Sequence, residues 1–167
     1  MQVSAKSDDV AGLLARLVAH ELPNGSGLEA WDSFLRAHAT LMRRLEVDLA
    51  LATGLALPDF DVLAQLARAG GELRMTDVAA RVLISRSGMT RRVARLVEEG
   101  LVRRANADAD ARGVVVGLTD AGVARLTKTA PVHLRGVSEL FVAQLDDQEL
   151  AVLKNALDKV AVDCTFG

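Results

Sequence analysis

The chain of 167 residues has a single cysteine, Cys164, no tyrosine, one tryptophan and three histidines. A lone cysteine excludes an intramolecular disulfide and suits a reducing compartment, so the cytoplasm is the expected location. His20, His38 and His133 are scattered. Even with Cys164 they lack the close spacing of a zinc site, so no metal and no cofactor is expected. Cys164 has no activating neighbours. The chain carries no His-Glu-x-x-His, no Gly-x-Ser-x-Gly and no phosphate-binding glycine loop, which removes the readiest grounds for an enzyme. The opening run Met1 to Asp9 lacks the apolar core of a signal peptide, and no apolar run approaches membrane-spanning length.

Half of the residues are hydrophobic, yet only 3% are aromatic. Leu, Ala and Val dominate, which favours helices packed on helices. A net charge of −2 argues against a uniformly basic nucleic-acid binder, but the charge is unevenly spread. Between Arg74 and Arg112 nine arginines face five Asp and Glu, a local balance of +4 that leaves −6 for the remainder. Basic charge concentrated in one segment is the footprint that DNA binding needs.

That segment has an internal order. Thr76 to Val82 reads as a short helix with Thr76 as N-cap, Leu83-Ile84 as a turn, and Ser85 as cap of a helix from Arg86 to Glu99 that stops at Gly100. Met89, Val93, Leu96 and Val97 make one apolar face of this second helix. Ser87, Arg91 and Arg95 point the other way, flanked by Arg86 and Thr90. Arginine forks fit guanine edges and short hydroxyls reach bases or phosphates, so this face suits a major groove. Arg92 and the pair Arg103-Arg104 read as phosphate contacts or solubility. Two strands follow, Leu101 to Ala105 and Val114 to Leu118, joined by a polar loop too long for a tight hairpin. A helix-turn-helix followed by such a hairpin is a winged helix.

The flanks are helical. Asp8 to Leu22 forms an amphipathic helix with Val10, Leu13, Leu14, Leu17 and Val18 on one side. Its polar face lacks the cationic band of a membrane-surface helix, so it is expected to cover apolar protein surface. A long helix from Glu29 to Ala52 carries Trp31, Phe34, Leu35, His38, Leu41, Met42, Leu45 and Leu49, with His38 expected as a hydrogen-bonded core residue, and Gly54 ends it. A shorter helix spans Leu57 to Arg68 with Phe60, Leu63 and Leu66 inward, and Glu72 to Arg74 can add a third strand. Thr119 caps a helix whose apolar positions, Val123, Leu126, Leu134, Val137, Leu140 and Phe141, continue past Pro131, which is expected to kink or interrupt it. Asp146 and Glu149 resemble a capping box for a last helix in which Leu150, Leu153, Leu157 and Val160 recur at helical intervals. More apolar stripe is on offer than a small winged helix can cover, and a second copy is the simplest cover.

The run from Ser85 through Gly122 resembles the MarR family of bacterial transcription regulators. The resemblance rests on Ser85-Arg86-Ser87-Gly88-Met89-Thr90-Arg91, on Leu96-Val97-Glu98-Glu99-Gly100-Leu101-Val102, and on Asp110-Ala111-Arg112 leading to Leu118-Thr119. Many members carry a second arginine where Ala111 stands. The resemblance implies a mainly α fold: a winged helix-turn-helix with long N- and C-terminal helices forming an intertwined dimerisation domain. Residues 1–28 would be an N-terminal extension, 29–56 and 119–167 the dimerisation region, and 57–118 the DNA-binding lobe. It implies a homodimeric, sequence-specific regulator, more often a repressor, on double-stranded DNA with a pseudo-palindromic site. Ser85, Arg86, Ser87, Thr90, Arg91 and Arg95 would meet DNA, with Asp110 orienting Arg112 in a minor groove. It also implies a small aromatic or anionic effector near Trp31, Phe34, His38, Phe60 and Asp61. The competing expectation is a winged-helix protein-interaction module, or a nonspecific DNA-binding protein.

Overall fold

The computed structural model describes residues 3–22, 26–82, 86–106 and 113–163. It divides into two compact units, residues 1–43 and 44–167, and the boundary falls within a helix. The first unit holds helix α1 (Val3–Glu21) and the beginning of α2 (Ser26–Thr53). Both helices begin earlier than their apolar stripes alone indicate. Val10, Leu13 and Leu17 of α1 and Trp31, Phe34 and Leu35 of α2 are exposed.

The second unit contains the core. Helix α2 ends at Thr53, and Gly54 follows with φ +70°, a conformation that only glycine adopts without strain. Arg125 donates to the Thr53 carbonyl at 2.8 Å, which satisfies one of the oxygens orphaned at that helix end. Helix α3 (Leu57–Arg68) starts with a proline in its first turn, where the missing N–H is not needed. It buries Leu57, Phe60, Val62, Leu63 and Leu66. Strand β1 (Glu72–Arg74) then runs directly into α4 (Met75–Val82). Thr76 is therefore inside the helix and not its N-cap: with no residue between strand and helix, the cap position falls on the last strand residue. The Thr76 hydroxyl instead reaches the Asp77 carboxylate at 3.2 Å.

Helix α5 (Arg86–Glu98) ends one residue before the expected Glu99, followed by Gly100 at φ +71° and by Leu101 donating back to the Leu96 carbonyl at 2.9 Å. Strands β2 (Val102–Asn106) and β3 (Val114–Leu118) complete a three-stranded antiparallel sheet in the order β1-β3-β2. Its register pairs Leu73 with Val116 on one side and Arg104 with Val116 on the other. Val102 and Val116 turn into the core beneath α3, α4 and α5.

Helix α6 (Asp120–Leu140) passes uninterrupted through Pro131. The reason lies in packing on both sides of the proline: Leu126 and Ala130 before it, and Val132, Val137 and Leu140 after it, all lie against the core. Pro131 itself faces solvent, where water can serve the carbonyl left without a donor. Two of its apolar positions, Val123 and Leu134, are exposed. One turn of 3-10 helix (Val142–Gln144) leads to α7 (Asp147–Asp163). The capping box forms in full: the Asp146 N–H donates to Glu149 Oε2 at 2.9 Å, and the Glu149 N–H donates to Asp146 Oδ1 at 2.8 Å. On α7, Val152, Leu157 and Val160 are exposed, an apolar flank without a partner among the described residues. No described helix is long and apolar enough to cross a membrane.

Candidate nucleic-acid interface

Helix α5 is set by its apolar stripe. Met89, Val93 and Leu96 have no exposed surface, and that burial turns Ser87, Thr90 and Arg91 outward. Val97, expected with the stripe, is 37% exposed, because a residue one position past Leu96 is rotated about 100° around the helix. Gly88, Arg91, Arg92 and Arg95 line a hollow of about 310 Å³ on the outer side. Three guanidinium groups thus gather beside Gly88, a surface whose chemistry suits an anion such as a phosphate. Arg86 opens the helix. Ser85, Asp110 and Arg112, the helix cap and the two wing residues, lie outside the described residues, as do Leu83 and Ile84.

The residue that sequence reasoning missed is Asp59. It belongs to the first turn of α3 and is 3% exposed. Arg92 Nη1 donates to its Oδ1 at 2.7 Å, and Arg95 Nη2 donates to its Oδ2. A buried carboxylate needs such partners, because desolvating an unpaired charge is prohibitive. A signal for it existed. Asp59 precedes Val62, Leu63 and Leu66 at the spacing of one helix face, so an acid sits within an otherwise apolar stripe. The structure thereby assigns Arg92, read from sequence as a phosphate contact or a solubilising charge, to an intramolecular pair. Arg95 also comes within 3.7 Å of Glu99. Arg91 has no carboxylate partner among the described residues.

The sheet beside α5 carries its own cations. Arg103 donates to Glu72 Oε2 at 2.9 Å, crossing β3 at Gly117. A Cβ on Gly117 would sit 2.9 Å from the Arg103 guanidinium carbon, so the glycine is what lets the arginine lie flat there. The pair is more than half exposed and contributes little to stability. Arg104 is exposed on the same strand.

The residues expected near an effector fall into both units. In the first, Trp31 and Phe34 have ring centroids 6.0 Å apart, and Phe34 and His38 stack at 6.2 Å. His38 is exposed rather than a hydrogen-bonded core residue, since this face of α2 is uncovered. In the second, Phe60 packs on His133 with centroids 4.5 Å apart. They line a cavity of about 260 Å³ between α3 and α6 with Asp61, Gln65, Arg68 and Leu126. His133 Nδ1 is buried there without a hydrogen-bond partner among the described residues. Burial lowers the His133 pKa, opposed by the charge of Asp61. Burial likewise raises the Asp61 carboxyl, opposed by His133 and Arg92. No group of three or more metal-ligating side chains occurs among the described residues.

Comparison with known proteins converges on one family. The MarR family profile matches residues 53–113, which run from the end of α2 to the start of β3. The regulator PecS of Dickeya dadantii is 28% identical over 108 residues, covering 64% of this chain and 64% of PecS; the chain thus spans slightly less than two thirds of that relative. An uncharacterised HTH-type transcriptional regulator of Bacillus cereus is 30% identical over 106 residues, covering 64% of this chain and 69% of that protein. Among solved structures, the MarR family regulator Sco3205 of Streptomyces coelicolor, crystallised with DNA, superposes with a TM-score of 0.80 at 30% identity. That match covers 86% of this chain and 94% of Sco3205. With the three-stranded winged helix, the arginine-bearing α5 and these matches in hand, the chain belongs to the MarR family of transcriptional regulators.

Proposed function

We propose that the chain acts in the cytoplasm as a homodimeric, sequence-specific repressor that reads a pseudo-palindromic DNA site. The observation that carries this reading is the orientation of α5. Its buried stripe of Met89, Val93 and Leu96 turns Ser87, Thr90 and Arg91 outward in a segment of net positive charge. Hydroxyls, and a guanidinium with no carboxylate partner among the described residues, on the exposed side of such a helix meet base edges and phosphates in a major groove. In the wing, Asp110 orients Arg112 toward the adjacent minor groove. Residues 57–118 form the DNA-binding lobe, residues 29–56 and 119–167 the pairing region, and residues 1–28 an N-terminal extension. The exposed apolar flank of α7 supports pairing, and a two-fold dimer would present its two α5 helices to successive major grooves.

A small aromatic compound relieves repression on this reading. The cavity at Phe60, Asp61 and His133 supports that part: it offers an aromatic wall and an imidazole nitrogen without a hydrogen-bond partner among the described residues. Such a ligand releases DNA only if it binds the non-binding conformation more tightly.

The test is a titration of the protein against duplex DNA from upstream of its own gene, with scrambled duplex as competitor. Saturable, competitor-resistant binding by a dimer, weakened several-fold in Arg112→Ala, is expected. Equal affinity for natural and scrambled duplexes would favour a nonspecific role, and no DNA binding at low salt would favour a protein partner for the winged helix. Unchanged affinity in Arg112→Ala would remove the wing contact.

A further inference from the structure

Asp59 presents one carboxylate to two arginines of the helix proposed to read DNA, and both of its oxygens are engaged. We propose that Asp59 is a positioning and specificity-determining residue: it holds Arg92 and Arg95 back from the phosphate backbone, so that Arg91 and the neighbouring hydroxyls meet DNA without surplus sequence-blind charge. The inference rests on the DNA-binding reading above.

Affinity for any duplex rises with the number of cations that neutralise phosphates, whereas specificity is the margin of the correct site over that background. Arg91, Arg92 and Arg95 line one hollow beside Gly88. Left unpaired, the three would make a grip for any phosphate. Asp59 neutralises part of that charge, and it does so selectively. Around the helix, Arg92 lies nearest the buried stripe, Arg95 farther out, and Arg91 on the opposite side. A carboxylate arriving from α3 therefore engages the flank and leaves Arg91 to face outward. The carboxylate cannot easily swing aside, because its support is the core: Val62, Leu63 and Leu66 on the same helix have no exposed surface. Arg95 is half exposed, so its guanidinium lies within reach of solvent and of a duplex, and Asp59, with the exposed Glu99 at 3.7 Å as a looser second partner, is what holds it. The same pair of contacts also ties the rotation of α5 about its own axis to α3.

The experiment is the salt dependence of binding to a random-sequence duplex, followed by fluorescence anisotropy on the full chain. Asp59→Asn, shown to be folded by circular dichroism, should bind this duplex more tightly. The slope of log K against log salt should steepen by about 0.9 for each arginine released to a phosphate. Adding Arg95→Gln to that variant should take one such increment away. Loosening of the fold alone would weaken binding without steepening the slope, and a folded Asp59→Asn protein with an unchanged slope overturns the proposal. Should Asp59→Asn fail to fold, Arg95→Gln alone decides. Its charge is already held, so the slope should change by much less than about 0.9, and a full loss of that size would show Arg95 on a phosphate and overturn the proposal. A native chain that binds neither random nor natural duplex at low salt defeats the DNA-binding reading itself, an outcome distinct from either variant result.

Discussion

Gly122 stands where the wing passes into α6, and replacing it by alanine tests that junction directly. A methyl group at this position would lie 2.0 Å from the Leu101 carbonyl oxygen and 3.2 Å from Leu118 Cδ2. The first contact is with backbone, so no side-chain rotation relieves it; α6 must move away from the turn between α5 and β2. That movement pulls on a small network. Thr119 Oγ1 accepts from the Gly122 N–H at 3.0 Å and donates to the Gly100 carbonyl at 2.6 Å, while the Thr119 N–H donates to the Leu101 carbonyl at 3.2 Å. Overpacking of this kind costs about 1–3 kcal/mol, and losing an N-cap costs about 1 kcal/mol more. Against this stands a gain of about 1 kcal/mol from placing alanine instead of glycine in a helix. The net expectation for Gly122→Ala is a destabilisation of roughly 1–3 kcal/mol, or roughly 2–12 °C in Tm for a chain of this length.

The assay is urea unfolding followed by circular dichroism at fixed protein concentration, because pairing would make the midpoint depend on concentration. The midpoint should fall with the slope unchanged. Gly27→Ala serves as the opposite case: a Cβ there meets nothing within 4 Å, and the same substitution should be neutral or mildly stabilising. If Gly122→Ala proved as stable as the native chain, the close approach of α6 to Leu101, and with it the described junction between wing and helix, would be refuted.

Burial lowers the His133 pKa, so the folded state favours the neutral imidazole. The stability this contributes is fully present above the ordinary histidine value and is lost as pH falls through the lowered one. Urea midpoints of the native chain should therefore decline on mild acidification, and His133→Gln should flatten that decline; equal pH profiles would dissociate His133 from it. Asp61, whose carboxyl is raised by burial, acts in the opposite sense at lower pH: its contribution is present below the ordinary carboxylate range and is lost as pH rises through the raised value. On α7, Leu157→Asp places a charge on the exposed apolar flank and should yield a folded monomer in sedimentation, whereas a variant that remains dimeric would locate pairing elsewhere.

The elements that were legible in the sequence are those whose cause is local. Met89, Val93 and Leu96 repeat at helical spacing, Gly100 and Gly54 mark helix ends, and Thr119 with Gly122 and Asp146 with Glu149 satisfy helix starts within three residues of each other. The third strand was also legible, because Glu72 to Arg74 follows two glycines that turn the chain back toward the wing. What local reading misjudged depended on neighbours distant in the chain. Thr76 has the chemistry of a cap but stands two residues too late, since β1 abuts α4. Pro131 has the chemistry of a helix breaker but does not interrupt α6, which core contacts hold on both sides of it. His133, one of three scattered histidines in the sequence, gains its place from Phe60 on another helix.

Asp59 is the sharpest instance, because its partners lie 33 and 36 residues away. From the sequence, Arg91 and Arg95 share the outward face of α5 and Arg92 reads as a phosphate contact or a solubilising charge, with nothing local to tell which of them a carboxylate holds. The fold makes them unequal. Arg92 is drawn inward, Arg95 is half committed, and Arg91 alone of the three has no carboxylate beside it among the described residues. Counting basic residues in a recognition helix therefore overstates the charge that it can offer a duplex. The useful count is of guanidinium groups that the protein's own carboxylates leave unpaired, and that number is set by a helix outside the helix-turn-helix.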